Sequence, residues 1–261
     1  MVRGSPSRLF KSLLSHMSEH PLAADLIRAH LARVEQLRVR AQAEGLKSAV
    51  DDIKRLQALR FRATYADFLG QARYAPATRF FLDELYGVHD FMQRDAQFSR
   101  IAGALERLFP EAVAQLAVDL AETHALTEVL DQQLATHWLT LNSAMPTATR
   151  YILSWRLTDS RAARDRQLSV VQHMGLELQR LTRLKSLRLG LRMMRNPAHL
   201  AGLDALQHFL ESGFDAFSAL GDARAFLDTI QERESRWIAA LFDQPLEACS
   251  AALSRELVRH G

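Results

Sequence analysis

Glycine and proline are rare in this chain and fall at intervals that helices explain: eleven glycines and seven prolines in 261 residues, set between stretches of helix-forming side chains. Glycine is the usual residue just past a helix end, and proline opens helices because its missing N–H has no partner there anyway. Apolar positions recur at helical spacing from about residue 22 to 43 and stop before Gly45, then from about 48 to 69 and stop at Gly70. Tyr74, Ala75 and Pro76 read as a loop, followed by a short helix that ends at Gly87. Asp90 has the chemistry of an N-cap, with Gln93 placed for the return bond of a capping box. The next helix runs to Phe109, Pro110 opens another that reaches about Trp138, and residues 141–146 form the clearest linker. Further helices are expected from about Thr147, Asp159 and Pro197, with a pair near Gly221 and Pro245. No period-2 run of β-branched residues occurs. The expected fold is therefore all-α, ten to twelve helices in a multi-helix bundle with no β-sheet. The linker suggests an N-terminal helical region over 1–140 and a C-terminal one over 147–261, or one continuous domain.

With 48% hydrophobic and 24% charged residues, the chain has the material for a substantial core. The lone Cys249 can form neither an intrachain disulfide nor a thiolate cage, which points to a reducing, cytoplasmic setting. No apolar run approaches the ~20 residues that span a bilayer. Residues 1–20 carry Arg3, Arg8 and Lys11 without a continuous apolar core, so they do not read as a secretory signal. Ser5 and Pro6 suit the N-cap and first position of a short opening helix. A net charge of +3 conceals alternating blocks: +6 over 1–62, −6 over 63–149, +8 over 150–196 and −5 over 197–261. Basic segments packed beside acidic ones within one fold would explain them; an open basic face for an anionic partner is the alternative.

The stretch Arg79-Phe80-Phe81-Leu82-Asp83-Glu84-Leu85-Tyr86-Gly87, followed by Asp90-Phe91 and Arg94-Asp95, interleaves large apolar and charged residues without a clean stripe. Such a segment must satisfy partners on several sides. Over about 80–86 it resembles the bacterial proteins named for an "FFLEELY" motif, with Asp83 where the name has Glu, and a looser likeness extends to Asp95. That family brings no known activity and no catalytic residues, so the resemblance implies nothing functional. Helical spacing pairs Arg79 with Asp83 and Asp90 with Arg94, each worth ~0.3 kcal/mol if exposed. Phe80, Phe81, Leu85, Tyr86 and Phe91 would anchor a short helix and its turn. The set Phe80, Phe81, Asp83, Glu84, Tyr86, Asp90, Arg94 and Asp95 is therefore expected to organise the fold. The competing reading has Asp83, Glu84, Asp90 and Asp95 gathered around a site as acids, bases or ligands.

Residues 176–195 are expected to form one amphipathic helix. Leu176, Leu184, Leu187, Leu191 and Met194 fall in a stripe about 80° wide, with Lys185, Arg188, Arg192 and Arg195 on the arc beside it. The plain reading buries the leucines and floats the arginine heads at the core's edge. The functional one makes Lys185, Arg188, Arg192 and Arg195 the contact surface for a protein partner, with an anionic membrane ranked below. Arg180 falls inside the stripe and calls for a carboxylate. Neither a base-reading helix nor an aromatic RNA-binding strand is present, so specific nucleic-acid recognition is not expected.

Ten histidines are scattered, with no His-Glu-x-x-His pair, and no metal or cofactor is assigned. His124, His137, His173 and His208 are the single axial haem candidates on apolar helices, against the commoner role of a hydrogen-bonded core histidine. Glu122 and His124, two apart, point to different faces. No nucleophile elbow, Walker loop or dinucleotide glycine fingerprint occurs. Gly190 and Gly213 interrupt helices singly, which suggests close helix approach. Phe209, Phe214, Phe217, Phe226 and Trp237 form core or line an apolar pocket between helices. The favoured function is a non-catalytic protein-interaction or regulatory module. The alternative is a helical ligand-, haem- or metal-binding protein, or an enzyme, built around an apolar inter-helix pocket.

Overall fold

A computed structural model describes residues 22–85 and 91–259. The expected opening helix at Ser5 and Pro6, and Tyr86, Gly87, His89 and Asp90 of the motif block, lie outside the described residues. The described residues form thirteen α-helices and no strand: α1 (Ala23–Ala43), α2 (Lys47–Thr64), α3 (Ala66–Leu69), α4 (Ala75–Phe80), α5 (Met92–Leu108), α6 (Glu111–Thr140), α7 (Thr147–Thr158), α8 (Arg161–Thr182), α9 (Lys185–Met193), α10 (Arg195–Leu200), α11 (Asp204–Leu220), α12 (Arg224–Asp243) and α13 (Leu246–Arg259). A single π-helical turn, Phe81–Leu85, follows α4. The all-α bundle expected from the glycine and proline spacing is what forms.

The stops are physical. After α1, Gly45 adopts φ +68°, and the Leu46 N–H reaches the Ala41 carbonyl at 2.8 Å, the closing bond of a Schellman turn. Pro110 and Pro146 sit immediately before α6 and α7, where no N–H is needed. Three expected boundaries differ. Ala75 and Pro76, expected in a loop with Tyr74, are the first residues of α4, where proline's missing N–H costs nothing. The helix expected over 48–69 breaks at Tyr65 into α2 and the one-turn α3, because the buried Tyr65 ring stacks between Phe61 and Phe68 and its hydroxyl reaches Glu234 at 2.8 Å. Asp159 ends α7 in a left-handed conformation (φ 45°) rather than starting the next helix, which begins at Arg161.

The 30-residue α6, about 45 Å long at 1.5 Å per residue, is the spine and packs against α1, α2, α5, α7 and α8. Its two halves differ in what they bury. The first half buries Ala114, Ala117, Val118, Ala121 and Ala125 and, among them, one carboxylate, Asp119. The second buries Glu128, Asp131 and Gln132 beside Leu134, Ala135 and Trp138. Helices from both sides of the 141–146 linker share cores: Ile53 of α2, Trp138 of α6, Tyr151 and Trp155 of α7, and Cys249 and Leu253 of α13 belong to one cluster.

The alternating charge blocks resolve as internal pairing. Lys54 and Arg38 from the first basic block reach Glu128 of the acidic block, Lys54 at 2.6 Å and Arg38 at 3.7 Å. Arg60 forms a buried fork with Glu234 (2.7 and 3.2 Å), which also accepts the Tyr65 hydroxyl. Burial alone would lower the Arg60 pKa; the Glu234 carboxylate more than reverses this, so the guanidinium titrates above its ordinary range. From the second basic block, Arg166 meets Glu122, Arg188 meets Asp215 and Arg195 meets Glu211.

Candidate functional site

The motif block earns its interleaved composition by serving two sides at once. The π turn inserts an extra residue per turn, the kind of irregularity common at functional sites. Phe80 then packs on Phe209 (ring centroids 5.4 Å) and Phe81 on Phe217 (5.9 Å) and Phe226 (6.0 Å). Leu82 is buried. Close approach at Gly213 is real: a Cβ there would lie 2.8 Å from the Phe80 ring. At Gly190, by contrast, a Cβ would meet nothing within 4 Å, so that glycine marks no helix contact.

The charges of the block separate. Asp83 is exposed and faces Arg62 at 4.0 Å rather than Arg79, because the π turn shifts it off the helical i,i+4 register. Arg94, whose expected partner Asp90 lies outside the described residues, donates to the Glu84 carbonyl at 2.8 Å, with the Glu84 carboxylate at 3.8 Å. Its guanidinium lies over the rings of Phe91 (4.0 Å) and Phe209 (4.8 Å). Burial pulls its pKa down from the usual arginine range, against the opposing pull of Asp95 and Glu84. Buried Asp95 accepts from His124 Nε2 and from Arg38, both at 2.9 Å. Burial would raise the Asp95 carboxyl, yet His124 and the two arginines together hold it below the ordinary carboxylate range.

Between these two sides lies an apolar cavity of about 130 Å³. Its wall draws on α5, α6, α8 and α11 as well as the motif: Phe80 and Phe81, Phe98, Leu116, Met174 and Phe209 are among the lining residues. A second void of about 40 Å³ adjoins it, sharing Phe98, Leu120, Met174 and Phe209, and is closed at its other side by Arg94, Asp95, His124 and Thr127. The combined site is an apolar chamber with one polar, hydrogen-bonding corner, where Arg94 and His124 sit beside the ionised Asp95. Left unfilled, an apolar void of that size costs roughly 3 kcal/mol in lost packing.

The histidines singled out in the sequence disperse. His124 joins Asp95, His173 is exposed beside Asp119 at 3.4 Å, His208 lies 3.4 Å from Ser212, and His137 is half-buried near the end of α6. Glu122 and His124 face Arg166 and Asp95 respectively, so they do point apart. Among the described residues no three His, Cys, Asp or Glu side chains gather as a metal-ligand set. Cys249 is buried, and burial pushes its thiol pKa up, away from reactivity.

The helix expected over 176–195 is two helices. Thr182 donates its hydroxyl to the Gln179 carbonyl at 2.9 Å, and tight i→i+3 bonds at Arg183 and Leu184 close α8. Leu184 is extended and α9 starts at Lys185. The leucine stripe therefore does not enter the core as one face: Leu176, Leu184 and Met194 stay exposed. Arg180 finds its carboxylate, Glu177 at 2.8 Å. Among the described residues Arg188 and Arg195 are paired with α11, while Lys185 and Arg192 make no ion pair within 4.0 Å.

Arg38 and the α6 wall of the cavity were invisible to sequence reasoning as site residues. The one available signal was the alanine series at 114, 117, 121 and 125, which marks a helix face built for close neighbours. The chain belongs to the family described as a domain of unknown function (DUF8198), whose model matches residues 36–247. That span takes in the motif block and every helix that lines the cavity. No curated protein and no solved structure matches the chain.

Proposed function

We propose that this protein binds a small amphiphile: an apolar body in the cavity beside Phe80 and Phe81, and an anionic or hydrogen-bond-accepting head at Arg94 and His124. One observation carries the reading, an apolar chamber of about 130 Å³ that shares wall residues with a smaller void lined by a largely buried, aromatic-stacked guanidinium. An apolar cavity near 150 Å³ takes up a benzene-sized group, so a ring or a chain of about six carbons fits here. The motif block would then be the hinge of the site, with Phe80 and Phe81 forming the wall and the Glu84 carbonyl setting Arg94. The likeness to the FFLEELY-motif proteins belongs to the same proposal, as the part of the chain that such relatives would share.

Octanoate tests it, with octylamine as the counterpart of opposite head charge. Burying about six methylenes at ~0.8 kcal/mol each gives roughly 5 kcal/mol, a dissociation constant of the order of 0.1–1 mM. Titration calorimetry is expected to show octanoate binding and octylamine not. Leu116→Trp, which fills the chamber from α6, abolishes binding without lowering the melting temperature, and Arg94→Met removes the preference between heads. Octanoate binding that survives Leu116→Trp unchanged would place the ligand elsewhere and overturn the reading.

A second reading, a module that docks on another macromolecule, has α9 in its favour: a nine-residue helix in which no residue is buried.

A further inference from the structure

We infer that α9 and the turn into α10 form a docking surface for an anionic lipid bilayer. From residue 178 to 203 the chain carries six lysines and arginines and no aspartate or glutamate. Around α9, at 100° per residue, Arg188, Arg192, Lys185, Leu189 and Met193 follow one another through an arc of about 140°, with Leu187 and Leu191 on the far side. Leu187 and Leu191 are half-buried, and Gln207 of α11 donates to the Leu191 carbonyl at 2.7 Å, so that side faces the protein. The outward arc is thus half cationic and half apolar, with Leu189 59% and Met193 69% exposed.

Three physical points select a bilayer as the occupant. Helices this short are marginal alone in water, and α9 is held to the protein only by half-buried Leu187 and Leu191, the Gln207 bond and the exposed Arg188–Asp215 pair, so a second surface would add to its stability. Apolar side chains beside a basic arc, without intervening acids, match the boundary between anionic headgroups and acyl chains, where such helices lie. The arc is convex and continuous and needs no complementary pocket. The pairs Arg188–Asp215 and Arg195–Glu211 leave both arginines exposed, and such pairs are weak enough to exchange for lipid phosphate. The inference is independent of any ligand in the cavity.

Co-sedimentation of the full chain with vesicles tests it, comparing phosphatidylcholine alone with phosphatidylcholine and phosphatidylglycerol at roughly 2:1. Retention is expected only on the anionic vesicles and declines as salt rises. Lys185→Gln with Arg192→Gln weakens it about 30-fold, at about one surface charge's worth of attraction for each residue removed. Leu189→Ser with Met193→Ser, which leaves every charge in place, weakens it at least about tenfold. The charge-matched control Arg55→Gln with Arg236→Gln changes nothing. Octanoate binding should be equal in all these variants, so failure of the surface and failure of the cavity are told apart. The inference is overturned by any of four results: no retention on anionic vesicles, equal retention on neutral ones, indifference to both α9 double substitutions, or retention fully displaced by duplex DNA and blind to Leu189→Ser with Met193→Ser. A concentration-dependent dimer abolished by the serine pair would equally overturn it, in favour of a second copy on that face.

Discussion

The two halves of α6 differ in what they bury: the first mostly small apolar side chains with the single carboxylate Asp119, the second a run of polar groups. Toward its start, Val113, Leu116, Ala117 and Leu120 face a chamber ringed by phenylalanines, and small side chains leave space unfilled. Toward its end, Glu128, Asp131 and Gln132 are buried against Lys54, Gln57 and the Leu37 carbonyl, beside a core containing Trp138, Tyr151 and Trp155 in which a void of only about 40 Å³ lies among Arg60, Tyr151, Trp155 and Glu234. Slack is costly in a polar interior, because a desolvated group left without a partner at hydrogen-bond distance loses its hydration for nothing. An apolar interior loses only contact energy when it is loose. The helix thus concentrates rigidity where charges must match and leaves room where a ligand can supply the missing contacts.

The largest effect is expected at the tight end. Glu234→Ala strands a buried Arg60 and deprives the Tyr65 hydroxyl of its acceptor, so it should cost about 3–5 kcal/mol and lower the melting temperature by roughly 10 °C. Arg60→Met combined with Glu234→Leu and Tyr65→Phe should recover most of that loss, since matched apolar groups replace the charge pair and the hydroxyl that depends on it. Denaturant unfolding of the parent and the two variants measures both. A loss below about 1 kcal/mol for Glu234→Ala would mean that water reaches the pair, and the contrast between the two ends would collapse.

The division between the ends was partly legible in the chain. Helix positions were, since Gly45, Pro110 and Pro146 act through local backbone chemistry that a sequence displays directly. The charge blocks announced internal pairing but not its geometry, because Arg60 and Glu234 are 174 residues apart. The break after Thr182 was not legible: a leucine period ran through it, and the chain instead closes with i→i−3 bonds at Arg183 and Leu184 and an extended Leu184. Nor was the π turn, which undid the Arg79–Asp83 pairing that plain helical register implies. The cavity is assembled from five separate helices and the motif turn, so no local pattern could encode it.

Two glycines sharpen the comparison at an intermediate scale. Gly213→Ala forces a Cβ to within 2.8 Å of the Phe80 ring at the loose end, where the ring can move only into the chamber. The expected cost is about 1–3 kcal/mol, with octanoate affinity lowered because Phe80 takes up ligand space. Gly190→Ala meets open space inside α9 and should stabilise by about 0.5–1 kcal/mol through helix propensity alone. Thermal melts and octanoate titration of both variants check the pair. Equal effects of the two substitutions would show that the Phe80 contact carries no constraint.

The smallest effect, and the most diagnostic of the polar half, concerns Asp131. Its carboxyl accepts from Gln57 Nε2 at 3.0 Å, its second oxygen has no hydrogen-bond partner among the described residues, and burial raises its pKa against the opposing pull of Lys54 and Arg164. Tyr151 is likewise pushed up by burial, to about 12, so it stays a neutral neighbour. With the folded pKa above the unfolded one, the native state holds the Asp131 proton more tightly, and native stability from this residue falls as pH rises through the window that starts at the ordinary carboxylate value. Asp131→Asn keeps an acceptor for Gln57 and cannot ionise. It should lie within about 1 kcal/mol of the parent in acid and gain on it steadily toward neutral pH. Urea unfolding of both proteins across that range reads the difference. A gap that stays constant with pH would show that Asp131 ionises in the fold as freely as in the unfolded chain, and that Lys54 and Arg164 offset its burial in full.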